Sequence, residues 1–142
     1  MTLALREALY DRWNNAGLAT AIAPLYAGER DAAPERTPLP RAQYSLPADT
    51  ERTRSRGSRE LLQQLRFQVW GTNDATVQQY VDLIEAAFVD SESASTNPLS
   101  LAPADGRILS VDYVGQAVLQ ETASVFQGVL ELRIQWCRAS AV

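Results

Sequence analysis

The segment from Leu61 to Phe88 constrains the fold more than any other, because a strand pattern passes into a helix pattern there almost without a gap. In LLQQLRFQVWG (Leu61 to Gly71), Leu65, Phe67 and Val69 alternate with Gln64, Arg66 and Gln68. A period of two sends these two sets to opposite faces of an extended chain, so the spacing predicts a strand buried on one side. Trp70 falls in the polar set, and the expectation is an exposed aromatic. Gly71 breaks the alternation, and Asn73 or Asp74 offers a side-chain oxygen to the unpaired amides that open a helix. Val77, Tyr80, Val81, Ile84, Ala87 and Phe88 then recur at helical spacing as one apolar stripe, with Asp82 and Glu85 away from it.

Directly upstream lies ERTRSRGSRE (Glu51 to Glu60), the densest charge cluster of the chain. Ala48 to Ser58 is polar throughout and reads as a loop, with Gly57 allowing a tight turn. Arg52, Arg54, Arg56 and Arg59 are candidate interaction residues, since guanidinium forks bind carboxylates and phosphates bidentately. The plainer alternative is a solvated hairpin tip. Asp49, Glu51 and Glu60 dilute the positive field, which favours a protein contact over nucleic acid. Trp70 joins the candidates because exposed aromatic residues concentrate at binding hot spots. Trp13 and Trp136 sit on apolar faces and read as core.

The rest of the chain supplies layers for the same core. A first helix is expected from Thr2 as N-cap to just before Gly17, with Leu5, Ala8, Leu9 and Trp13 on one face. Ile22 to Tyr26 is expected as a short strand that Pro24 confines to an edge or a bulge. Gly28 to Pro40 reads as a loop, and Arg41 to Leu46 as a strand with Ala42, Tyr44 and Leu46 inward. Asp90 to Gly106 reads as a loop in which Leu99 and Leu101 anchor back onto the core. The last third reads as a long hairpin. Ile108 to Val114 and Ala117 to Leu119 form one arm with a bulge or bend at Gly115, Gln120 to Ser124 the turn, and Val125 to Cys137 the return. Leu130, Leu132, Ile134 and Trp136 face inward on that return.

Helices and strands do not alternate regularly, so the expected class is α+β. Its form is a largely antiparallel sheet with two amphipathic helices packed on one face and a long C-terminal hairpin. At 142 residues the chain fits a single domain, 1–142, with one hydrophobic core.

Composition narrows the chemistry. All thirteen basic residues are arginine, and both lysine and histidine are missing. That removes imidazole acid–base catalysis, Schiff-base chemistry, the lysine of a phosphate-binding loop and histidine-ligated metals. Cys137 is the one cysteine, so no intrachain disulfide or cysteine cluster forms; it reads as a buried or half-buried thiol at a strand end. The glycines match no nucleotide-binding spacing. The carboxylate pairs Glu7 with Asp11 and Asp82 with Glu85 read as solvated helix charges; the enzymatic alternative is a small carboxylate-dependent hydrolase. No catalytic residue, metal or cofactor is expected. The net charge of −4 disfavours wholesale nucleic-acid binding. No apolar run approaches the roughly 20 residues of a membrane span, and the N-terminal residues carry charge unlike a signal peptide. The expectation is a soluble chain of the cytoplasm without membrane contact.

With its elements placed, the chain resembles the siphophage tail-terminator (tail-completion) proteins of the virion neck. The features that carry the resemblance are the helix LREALYDRW, the short strand after Pro40, the run SRGSRELLQQLRFQVWG, the helix DATVQQYVDLIEAAF and the final strand GVLELRIQW, in that order. The resemblance implies a non-enzymatic homo-oligomer, a hexameric ring on the last tail-tube ring. Such a ring halts tube polymerisation, meets the head–tail connector protein and lets DNA pass through its lumen without specific binding. It further implies a place in the tail or neck of the virion, after assembly in the host cytoplasm. The alternative within the same setting is a head-side connector or stopper.

Overall fold

The computed structural model describes residues 3–27, 39–47, 49–55, 58–89, 99, 101 and 106–139. The expected Thr2 cap, Arg56, Gly57, and most of the 28–40 and 90–106 loops lie outside these residues. The fold is α+β, a mixed but mostly antiparallel sheet with helices on one face.

In chain order the elements are α1 (Leu3–Asn15), α2 (Leu18–Ala21), β1 (Leu25–Ala27), β2 (Arg41–Ser45), β3 (Asp49–Ser55), β4 (Ser58–Gly71), α3 (Asp74–Phe88), β5 (Gly106–Thr122) and β6 (Val125–Ala139). The strands run in the spatial order β1-β2-β4-β6-β5, with β3 also paired to β4. β4 is the spine of the sheet. One of its edges pairs along its full length with β6, from Ser58↔Ala139 to Gly71↔Phe126. Its other edge is shared: β3 takes the first half, up to Asp49↔Gln63, and β2 the second, from Ser45↔Arg66 to Arg41↔Trp70. Among the described residues the one parallel pair is β1 with β2.

Three sequence expectations change here. The segment expected as a polar loop from Ala48 to Ser58 forms strand β3 and a hairpin with β4. Its residues lack the apolar alternation that marks a strand, and the pairing edge of β4 supplies the order instead. The strand expected over Ile22 to Tyr26 begins only at Leu25, because Leu18–Ala21 closes one helical turn and Pro24 carries no amide to donate to a ladder. The turn expected over Gln120 to Ser124 shrinks to Ala123 and Ser124, and both arms of the hairpin lengthen. Gly115 does mark an irregularity: the register slips between Tyr113 and Gly115, which leaves Val114 as the extra residue.

Other expectations hold in detail. Gly17 adopts φ 76, the left-handed conformation that stops α1. Asn73 caps α3, its Oδ1 accepting from the Thr76 amide at 2.8 Å. Val77, Val81, Ile84, Ala87 and Phe88 are buried along one face of α3, and Tyr80 packs at its margin. Leu99 is buried and Leu101 packs against the core.

The core lies between the helices and one sheet face. Leu65, Phe67 and Val69 of β4 meet Leu130, Leu132, Ile134 and Trp136 of β6 beneath α1 and α3. Trp13, Phe67 and Phe88 join three elements: ring centroids are 5.8 Å apart for Trp13–Phe67, 4.8 Å for Phe67–Phe88 and 6.4 Å for Trp13–Phe88. Offset and tilted aromatic pairs of this kind add about 0.5–1.5 kcal/mol beyond area burial. Trp13 Nε1 donates to the Ala23 carbonyl at 2.9 Å, which ties α1 to the segment entering β1. Arg12 Nε donates to the Ala87 carbonyl at 2.7 Å, satisfying an end carbonyl of α3 from α1.

Candidate docking surface

The helices cover one side of the sheet and leave the other side polar. Its β4 residues are Gln64, Arg66, Gln68 and Trp70, and the register sets Glu131 of β6 opposite Arg66. Arg66 reaches Glu131 Oε1 with Nε at 3.0 Å and with Nη2 at 2.8 Å. Both side chains are more than two-fifths exposed, so the pair contributes about 0–1 kcal/mol. Gln43 Nε2 donates to Gln68 Oε1 at 2.7 Å, and Gln135 Nε2 donates to Glu60 Oε1 at 2.9 Å. These cross-strand bonds hold long polar side chains in fixed positions on that face.

Trp70 belongs to this face, as its parity predicts, yet it is only 8 % exposed. The expectation of an exposed aromatic is corrected by two neighbours. The Arg41 guanidinium stands over the indole, 4.8 Å from the ring centroid, and Glu121 Oε1 accepts from Nε1 at 3.1 Å. Arg41 is the register partner of Trp70, so β2 delivers the cation onto the ring. Glu121 arrives from the end of β5, where the register slips between Gln120 and Thr122. The sequence flagged neither partner. Arg41 was legible in principle, because it continues the alternation that buries Ala42 and Tyr44; Glu121 depends on the hairpin length.

Of the other sequence candidates, Arg52 and Arg54 lie on β3 and Arg59 on β4, all in the β3–β4 hairpin. Arg52 is the residue passed over where the register slips between Glu51 and Thr53, and Arg54 pairs with Arg59. Arg59 in turn pairs with Arg138 of β6. Arg56 lies outside the described residues. The structure therefore brings Arg54 and Arg59 together at one end of the sheet and sets Trp70 at the other end of β4.

A shallow depression on the polar face is lined by Pro47, Gln64, Arg66, Val114, Glu131 and Arg133. Its carboxylate, Glu131, is the one already engaged by Arg66. Among the described residues no group of three histidine, cysteine, aspartate or glutamate side chains is placed to hold a metal ion. Glu7 and Asp11 are exposed on α1, and Asp82 on α3 accepts from Gln78 Nε2 at 2.9 Å. Cys137 is half-buried near the end of β6. The arrangement is one of edges and faces: a largely polar sheet surface, the β3–β4 hairpin and an edge strand.

No family model matches the chain, and no curated protein matches it. Among solved structures, it is similar to a chain of the virion of a native gene transfer agent particle, with a TM-score of 0.66 and 19% sequence identity. The likeness covers 94% of each chain. At that identity it shows a shared fold across essentially the whole length of both chains.

Proposed function

We propose that this chain is a structural virion protein that forms a hexameric ring on the end of a phage-type tail tube, stops tube polymerisation and joins the tail to the head connector. The observation that carries the reading is the likeness to a virion chain over 94% of both chains, with no large domain left over on either side. The sequence resemblance to tail terminators points the same way through different information, the order and patterning of its elements.

The surfaces suit the role. A ring that must mate with a tube on one side and a connector on the other needs several independent contact regions on a small subunit. The polar sheet face, the β3–β4 hairpin and the β5 edge are three such regions. Arg52, Arg54, Arg56 and Arg59 are proposed to contact the tail tube or a neighbouring subunit, and Trp70 to fix Arg41 and Glu121 at the surface. A net charge of −4 is compatible with DNA passing a lumen without adhering.

The test is a binding assay with purified partners from the same particle. Capture of the tail-tube protein together with the connector supports the terminator. Capture of portal or adaptor proteins alone assigns the chain to the head side and overturns the reading.

A further inference from the structure

On the open face of the sheet, Gln43 bonds Gln68, Gln135 bonds Glu60 and Arg66 bonds Glu131. Arg133 belongs to the same face, since Leu132 and Ile134 on either side of it are buried in the core. Yet it is exposed and makes no hydrogen bond or ion pair among the described residues. Its register partners are Gln64 of β4 and Asp112 of β5. Asp112 carries the charge that could satisfy it, but its Oδ2 accepts from Ser110 Oγ at 3.2 Å instead.

The ion pair beside Arg133 is only partly used. Arg66 sends both Nε and Nη2 to a single oxygen of Glu131, Oε1. Arg66 Nη1 and Glu131 Oε2 are left without partners among the described residues. A fork-to-fork pair would engage both oxygens through two parallel bonds. Gln64, Arg66, Glu131 and Arg133 line a depression of about 130 Å³, with Pro47 just past β2 and Val114 of β5 as apolar sides. Val114 stands there because the bulge before Gly115 adds it to the strand, and it is 54% exposed. The depression thus holds two guanidinium groups against one carboxylate, an excess of one positive charge on a chain whose net charge is −4.

We infer that this depression receives one carboxylate side chain, aspartate or glutamate, from a neighbouring protein of the particle. Arg133 grips it through two parallel N–H donors, and Arg66 Nη1 stands beside it. Pro47 and Val114 contact the methylene stem. A nucleic-acid backbone is a poorer fit, because it presents a phosphate at every step and is held by a run of cations. Here Asp112 and Glu131 flank Arg133, and Arg41 on the same face already stands over Trp70.

This inference rests on the virion reading above. The chain contains no lysine, so Arg133→Lys gives it a single amine side chain. Carbodiimide adds to a carboxylate, the amine attacks the activated carbonyl, and an amide forms as the urea leaves. The link therefore joins only groups in direct contact. Particles assembled with Arg133→Lys are treated in this way and digested for peptide mass spectrometry. The expected product is an amide from position 133 to an aspartate or glutamate of another chain. Links to Asp112 or Glu131 of the same chain alone, from chain present in the particles, overturn the inference and leave the virion reading standing. Wild-type chain that never enters particles overturns the virion reading itself. Arg133→Glu, which melts as the wild type does, is expected to cut incorporation roughly tenfold by setting like charges together. Unchanged incorporation of Arg133→Glu would likewise overturn the site. In a parallel arm the purified chain is run on a gel with a duplex oligonucleotide. A mobility shift that Arg133→Glu abolishes would assign the depression to phosphate and overturn the carboxylate reading.

Discussion

Gly128 of β6 lies so close under Val81 of α3 that a Cβ added to it would stand 2.5 Å from Val81 Cγ2, and 2.8 Å from Val77 Cγ1. The helix can approach the sheet this closely because the strand offers bare backbone there. Val69 of β4, registered with Gly128, closes the third side at 3.2 Å. The wide apolar stripe of α3 is thereby seated on β4 and β6 together.

Gly128→Ala is expected to destabilise the fold by about 1–3 kcal/mol, because β-branched neighbours on a packed helix cannot move aside cheaply. Equilibrium urea unfolding measures it through the midpoint. A midpoint equal to the wild type would mean that α3 sits more loosely on the sheet than the structure shows.

The two core tryptophans should differ. Trp13 Nε1 donates to the Ala23 carbonyl, whereas Trp136 Nε1 has no hydrogen-bond partner among the described residues. Trp13→Phe therefore loses ring volume and leaves an acceptor unpaired, at about 1–3 kcal/mol beyond the packing loss. Trp136→Phe loses packing alone. Parallel denaturation of the two variants should rank Trp13→Phe as the more damaging.

Arg41→Ala should uncover Trp70. The expected stability loss is about 0.5–1 kcal/mol, the scale of a cation over an indole at a partly exposed site. The clearer signal is fluorescence: iodide should quench emission of the variant more strongly than that of the wild type. Equal quenching would show that Glu121 and the neighbouring strands shield the ring without Arg41.

Changing Arg52, Arg54 and Arg56 together to serine should weaken assembly while leaving the monomer folded. Surface substitutions away from core and caps usually change stability by less than about 0.5 kcal/mol. Melting temperature and incorporation into particles, measured on the same preparation, separate the two effects. Normal incorporation would retire the hairpin as a contact.

Much of this fold was legible because its helices and central strands are amphipathic on a single period. β4 and α3 show it most plainly: Phe67 and Phe88 come from patterns of two and of 3.6 residues, and their rings meet at 4.8 Å. β3 was not legible, since DTERTRS carries no apolar alternation and owes its order to pairing with β4. Trp70 was placed on the correct face with the wrong exposure. Parity assigns a face, while burial depends on Arg41 and Glu121, which lie 29 residues before and 51 residues after it in the chain. The β5 edge was hidden for a related reason: sequence alone does not say which arm of a hairpin ends a sheet.

Electron microscopy of particles assembled without its gene is a direct test of the proposal that this chain caps a tail tube. The expected result is tails of uncontrolled length, unattached to filled heads. Tails of normal length lying beside separate heads would contradict it and place the chain on the head side of the joint.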